Sequence, residues 1–249
     1  MDLIYLILIL FLGVIAGFLN TIAGGGSLLT MPALIFLGLP PAVANGTNRI
    51  ALVVQNIVAI LNFRKNGYFE WKLSIMLGIP AILGSIFGAN VAISLPDHIF
   101  NKLLAIVMFM VLGLTIWQPE KKFKSDGEKL SPARKIFAII AFFFIGFYGG
   151  FIQAGVGFII IASLTLITGM SLVKINSVKV FVILAYMFSS FAIFLYNGQV
   201  DWLLGLTLAV GNGVGGWFGS HFAVKKGDQW IRGILIIAVS AMAIKLLFT

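Results

Sequence analysis

The sequence predicts an all-α polytopic membrane protein made of two inverted repeats, each a broken helical hairpin plus three transmembrane helices. Three observations lead there. The 249 residues are 60% hydrophobic and only 10% charged, with a mean hydropathy of +1.09, whereas a soluble domain carries roughly 25% charged residues. The opening apolar stretch contains a helix breaker, "NTIAGGGSLLTMP" (Asn20–Pro32). The second half of the chain repeats the first at a constant offset of 131 residues.

The elements follow in order. Residues 3–38 are thirty-six positions. As one helix they would reach about 54 Å, against a hydrocarbon core of about 30 Å. Each glycine costs a helix about 1 kcal/mol relative to alanine, so Gly24, Gly25 and Gly26 mark the bend of a hairpin that enters and leaves on one side. Spans are expected at Val43–Phe63, Leu73–Leu95 and Lys102–Trp117. The polar stretch "QPEKKFKSDGEKLSP" (Gln118–Pro132) then separates a first repeat, 1–117, from a second, 133–249. The second repeat gives Ala133–Thr168, broken at "AGVG" (Ala154–Gly157), then Val178–Tyr196, Trp202–Val224 and Ile231–Phe248. Met1-Asp2 lacks the basic n-region of a signal peptide, and the first apolar run continues into the glycines.

Duplication is carried by residues that membrane composition alone does not supply. At the 131 offset Asn45 falls on Asn176, Asp97 on Asp228, and Glu70-Trp71 on Asp201-Trp202. Gly38, Gly67, Gly84 and Gly88 fall on Gly169, Gly198, Gly215 and Gly219. A hairpin plus three crossings is an odd number, so the second repeat is inverted. With that topology fourteen of the basic residues gather on one side and three, Arg49, Lys102 and Lys245, on the other. A single crossing by residues 3–38 would split them ten against seven. The positive-inside rule therefore puts the 118–132 linker in the cytoplasm. It also accounts for the net charge of +9 without invoking nucleic acid.

Composition excludes several chemistries. The chain has no cysteine and two distant histidines, so no thiol nucleophile, disulfide or metal cluster is expected, and no cofactor. "AGGGS" lacks the lysine of a phosphate-binding loop. All eight acidic residues fall in loops or at helix ends, and no acid pair within the membrane suggests an enzyme or a cation pump.

Inverted repeats with interrupted helices point to a transporter. Irregular backbone survives at membrane depth only when buried or lining a polar cavity. A helix restarting after glycines presents N–H groups and a positive dipole end, which suits an anion. Asn20, Thr21, Gly24, Gly25, Gly26 and Ser27 are thus candidate donors, Ser27 also as a cap for the following helix. The twin break contributes Gly155 and Gly157, with Gln153 beside it. "ANGTNRI" supplies Asn45, Thr47, Asn48 and Arg49, and its repeat "INSVKVF" supplies Asn176, Ser177 and Lys179. Inversion would turn one cation toward each face; the plainer alternative is snorkelling to the interface. For Gly84, Gly88, Gly215 and Gly219 close helix packing is the better reading. His221 could carry a proton, although an interfacial structural role suits its place better, and Trp71 and Trp202 read as interface anchors.

"GFLNTIAGGGSLLTMPALIFLGLPPAVANGTNRIA" resembles the first-half signature of the TauE/SafE (sulfite exporter) family, and the resemblance covers essentially the whole chain. It implies transport of a small sulfur-containing or organic anion, such as sulfite or an organosulfonate, across the bacterial inner membrane. The second half departs from the pattern at Phe158, which stands where Ser27 would map. The expectation is a secondary transporter, an exporter working by alternating access around a midplane site, with an anion channel of the same architecture as the alternative. Its partners would be the anion and the lipid bilayer, with a coupling ion and a homodimer both left open.

Overall fold

The computed structural model describes residues 3–117 and 131–225. Every regular element among them is an α-helix: α1 Leu3–Ile22, α2 Ser27–Phe36, α3 Pro41–Lys65, α4 Trp71–Ser94, α5 Asp97–Trp117, α6 Pro132–Phe151, α7 Val156–Thr168, α8 Leu172–Tyr196 and α9 Trp202–Lys225. The linker 118–130, the expected last span Ile231–Phe248 and the basic residues they carry lie outside the described residues.

Local chemistry sets the boundaries. Pro41 opens α3 and Pro132 opens α6, where a missing N–H costs nothing. Ser131 caps α6 by accepting from the Arg134 N–H at 3.3 Å. Asp97 starts α5 five residues earlier than hydropathy alone indicates, placing an acid in the first turn. The expected Ala133–Thr168 span is interrupted between Phe151 and Val156. α3 and α8 begin and end 131 residues apart, as do α4 and α9.

Four described helices, α1, α4, α6 and α8, are long and apolar enough to cross a bilayer. α3 is different. It buries Asn45, Asn48, Arg49, Gln55, Asn56 and Asn62, and it is enclosed by α8 and α9. The outer surface carries exposed Phe11, Ile79, Phe87, Phe144 and Phe218. Apolar side chains outward and polar ones inward is the arrangement a lipid solvent demands.

Two glycine seams pack α1 on α9 and α4 on α6. A Cβ on Gly84 or Gly88 would strike the carbonyls of Phe143 or Phe147, and one on Gly215 or Gly219 those of Val14 or Phe18, so these glycines serve close helix approach. α3 and α8 lie head to tail. Near the start of α3, Thr47 Oγ1 accepts from the Asp201 N–H beyond the end of α8, at 2.8 Å. Near the start of α8, Ser177 Oγ donates to Tyr68 O beyond the end of α3, also at 2.8 Å. There Lys174 Nζ lies 3.1 Å from Glu70 Oε1. The end of α2 turns back to the start of α1: Phe36 and Leu37 share a groove of about 360 Å³ with Tyr5, Leu8 and Ile9.

Candidate functional site

The two interruptions of the apolar helices meet in the interior. Gly24 has φ +85°, and a Cβ there would collide with the backbone of Gly157; one on Gly157 would strike Gly24. Ser27 joins the breaks. Its hydroxyl donates to Gln153 O at 3.4 Å and accepts from the Gly155 N–H at 3.3 Å. It does not cap α2, which starts from Gly26 without a side-chain cap. Both Gln153 and Gly155 sit at φ +70°. For glutamine that backbone is strained, a feature that concentrates at functional sites. Tyr186 OH donates to Gln153 Oε1 at 2.9 Å, while Gln153 Nε2 is buried with no partner.

Each break leaves the last carbonyls of the preceding helix without intrahelical donors, at the negative end of its dipole. A cation from the other half of the chain meets each end. Arg49, fully buried, donates from Nη2 to Gly150 O at 2.6 Å and to Asn45 Oδ1 at 3.2 Å. Its Nη1 donates to Ser190 Oγ at 2.5 Å, and its guanidinium lies over the Phe194 ring, 4.4 Å from the centroid. Asn45 Nδ2 adds a bond to Phe151 O at 2.7 Å. Lys179, also fully buried, donates to Asn20 O at 3.1 Å, Thr21 O at 2.8 Å and Asn176 Oδ1 at 2.7 Å. Both cations therefore lie at the breaks; neither snorkels, and neither opens onto a face.

The sequence-predicted residues divide into two sets. Asn20, Thr21, Gly24, Ser27, Asn45, Arg49, Gln153, Gly155, Gly157, Asn176 and Lys179 are joined through the contacts above. Gly25 and Gly26 are buried with them. Asn48 belongs to the same region, because its Oδ1 accepts from Thr30 Oγ1 at 2.7 Å. Thr47 and Ser177 instead fasten the loops at opposite ends of α3 and α8.

Sequence reasoning missed Gln55, Thr30, Tyr148, Tyr186 and Ser190. Gln55 accepts from Asn20 Nδ2 at 3.0 Å and donates to Thr21 Oγ1 at 3.2 Å. Tyr148 OH bonds Ala154 O. Tyr186 and Ser190 stand four residues apart on an apolar helix, a same-face spacing that marks them in "LAYMFSSF".

Unpartnered polar atoms of both kinds are buried among the described residues, the acceptors being Asn56 Oδ1, Asn101 Oδ1 and Asn212 Oδ1. Asn48 Nδ2, Arg49 Nε and Gln153 Nε2 are buried without partners, and no aspartate or glutamate is buried among the described residues. Those residues also contain no cluster of histidine, aspartate and glutamate that could hold a metal. His221 is a surface group: its ring centroid is 4.4 Å from that of Trp217, and Nδ1 faces Trp217 O at 3.1 Å. Trp71 and Trp202 are half exposed at the starts of α4 and α9.

The pattern of the family described as "Sulfite exporter TauE/SafE" matches residues 9–246. A probable membrane transporter protein of Haemophilus influenzae is 30% identical over 98% of this chain and 95% of its own length. The probable membrane transporter protein ORF9 of a Sinorhizobium species is 29% identical over 94% of this chain and 88% of its own. The probable membrane transporter protein YfcA of Escherichia coli K12 is 29% identical over 96% and 88%. No solved structure matches. These relatives are named as transporters rather than enzymes, and with the helical, apolar-surfaced architecture the match assigns the chain to the sulfite exporter TauE/SafE family of membrane transporters.

Proposed function

We propose that the protein is a secondary transporter that exports a small anion, such as sulfite or an organosulfonate, by alternating access around the joined glycine breaks. The observation that carries this reading is the pair of fully buried cations, Arg49 and Lys179, with no buried carboxylate among the described residues; Asn48 Nδ2, Arg49 Nε and Gln153 Nε2 are buried donors without partners. A buried donor left unmade costs about 1–3 kcal/mol, which a small oxyanion would recover. Two buried basic side chains with no buried acid beside them favour an anion over a neutral solute.

The substrate site in this reading comprises Asn20, Thr21, Gly24, Gly25, Gly26, Ser27, Asn45, Asn48, Arg49, Gln153, Gly155, Gly157, Asn176 and Lys179, with Thr47 and Ser177 as outlying members. Residues 1–117 and 133–249 are inverted repeats across a bacterial inner membrane, and the 118–132 linker is cytoplasmic. The head-to-tail packing of α3 and α8, and the exchange of caps between the two halves, support inversion. Rocking of the α1–α9 pair against the α4–α6 pair would loosen one capped helix end at a time, exposing the break to one side. Coupling to an ion gradient and assembly as a homodimer belong to the same reading.

Proteoliposome flux tests it. Gln153→Leu or Asn48→Leu should lower sulfite or sulfonate counterflow at least ten-fold, corresponding to about 1.4 kcal/mol per lost contact, with the melting profile retained. Wild-type flux in both variants would remove the site, and single-channel conductance in place of counterflow would make the protein a pore. For orientation, cysteines introduced at Lys65 and Lys174 into this cysteine-free chain should be labelled from one side only.

A further inference from the structure

A cavity apart from the glycine breaks opens between α3 and α9. It has a volume of about 440 Å³. Val58, Leu61 and Lys65 line it from α3, and Trp217 and His221 from α9. The order of these residues carries information. Val58, Leu61 and Lys65 are spaced i, i+3 and i+7, which sets them along one stripe of the helix over about 10 Å. The stripe runs from apolar to cationic as α3 approaches its end. On α9, Trp217 and His221 are one turn apart, with ring centroids 4.4 Å apart and the planes tilted by 47°. Leu61 is 60% exposed and Trp217 47%, so in a membrane protein this wall faces acyl chains. Lys65 is exposed at the last residue of α3, beside Asn66, which also lines the cavity. His221 Nδ1 lies 3.1 Å from Trp217 O.

We propose that this cavity holds the phosphate headgroup of an anionic phospholipid, with Lys65 and His221 at the phosphate and an acyl chain along Val58, Leu61 and Trp217. A small hydrophilic anion would gain nothing from the apolar wall, whereas a lipid uses both ends of the stripe. Basic pockets between transmembrane helices at the positive side of a membrane suit such headgroups.

The test places the whole protein in nanodiscs of phosphatidylcholine alone, or of phosphatidylcholine mixed with phosphatidylglycerol. Melting temperature and lipid retention by native mass spectrometry are the readouts. Phosphatidylglycerol should raise the melting temperature by several degrees, because a ligand of the folded state stabilises it. Lys65→Gln should weaken phosphatidylglycerol retention about five-fold, the worth of one lysine near an anionic surface. Leu61→Gln should lower retention through the apolar wall, and Lys72→Gln, an exposed cation at the start of α4 outside the cavity, should leave it unchanged. The proposal is overturned if phosphatidylcholine stabilises equally, or if Lys65→Gln retains phosphatidylglycerol like the wild type. It is also overturned if inorganic phosphate in phosphatidylcholine nanodiscs gives the same rise, which would make this a free-anion site.

Discussion

After α1 the chain passes through three glycines, with Gly24 at φ +85°; after α6 it passes through Gln153 and Gly155, both at φ +70°. The first helix end is met by a lysine from α8 and the second by an arginine from α3. These cations are not at equivalent positions: at the 131 offset Arg49 falls on Val180 and Lys179 on Asn48. The asparagines that hold them, Asn45 and Asn176, are equivalent. Arg49 lies four residues after its asparagine and Lys179 three, and both spacings bring side chains to one helix face. What the two breaks share is therefore a positive charge at a helix end, anchored by an asparagine, rather than a residue-by-residue match. Their bracing differs too. Gln55 holds Asn20 and Thr21 at the first break. Tyr186 and Tyr148 hold Gln153 and Ala154 at the second.

The comparison breaks most severely at Arg49. Arg49→Ala leaves Gly150 O and Asn45 Oδ1 in a dry interior without this donor, and should cost about 1–3 kcal/mol for each orphaned group, read as a large drop in melting temperature with loss of flux. A wild-type melt would mean that the helix end needs no cap.

The asparagines sharpen the same point. Asn45 both accepts from Arg49 and donates to Phe151 O, whereas the bond shown for Asn176 is the one it accepts from Lys179. Asn45→Ala should therefore cost about 2 kcal/mol and Asn176→Ala about half that, at roughly 1 kcal/mol per bond. Equal losses in parallel denaturation profiles would show that the breaks are braced alike. The smallest effect lies at the periphery. The Lys174–Glu70 pair is 37% exposed on each side, so Lys174→Gln should change stability by less than about 1 kcal/mol and leave flux intact. A larger loss would make that joint part of the site.

Much of the architecture was legible in the sequence. The chain length between polar stretches, the glycine breaks and the 131-residue offset all have local physical causes, and the helix limits of α3 and α8 follow that offset. The site was legible in part. Arg49 and Asn45 are one turn apart and so share a face. Thr47 is two residues from Arg49, and Ser177 two from Lys179; on a helix that is a rotation of about 200°, which carries each toward a loop instead. Gln55 and Tyr186 could not be tied to the breaks from sequence, because their partners lie 34 or 35 and 33 residues away and depend on how whole helices pack. The positive φ of Gln153 was equally hidden, since only the contact between the two breaks imposes it.

The glycine seams have a mechanical consequence. Helices whose backbones touch cannot roll over one another without colliding, so α1 travels with α9, and α4 with α6. Each pair takes one member from before the central linker and one from after it. The natural cutting line through the gene, near residue 118, is thus not a line along which the folded protein can come apart: its stiff blocks are woven from both ends of the chain, with α3 and α8 packed between them.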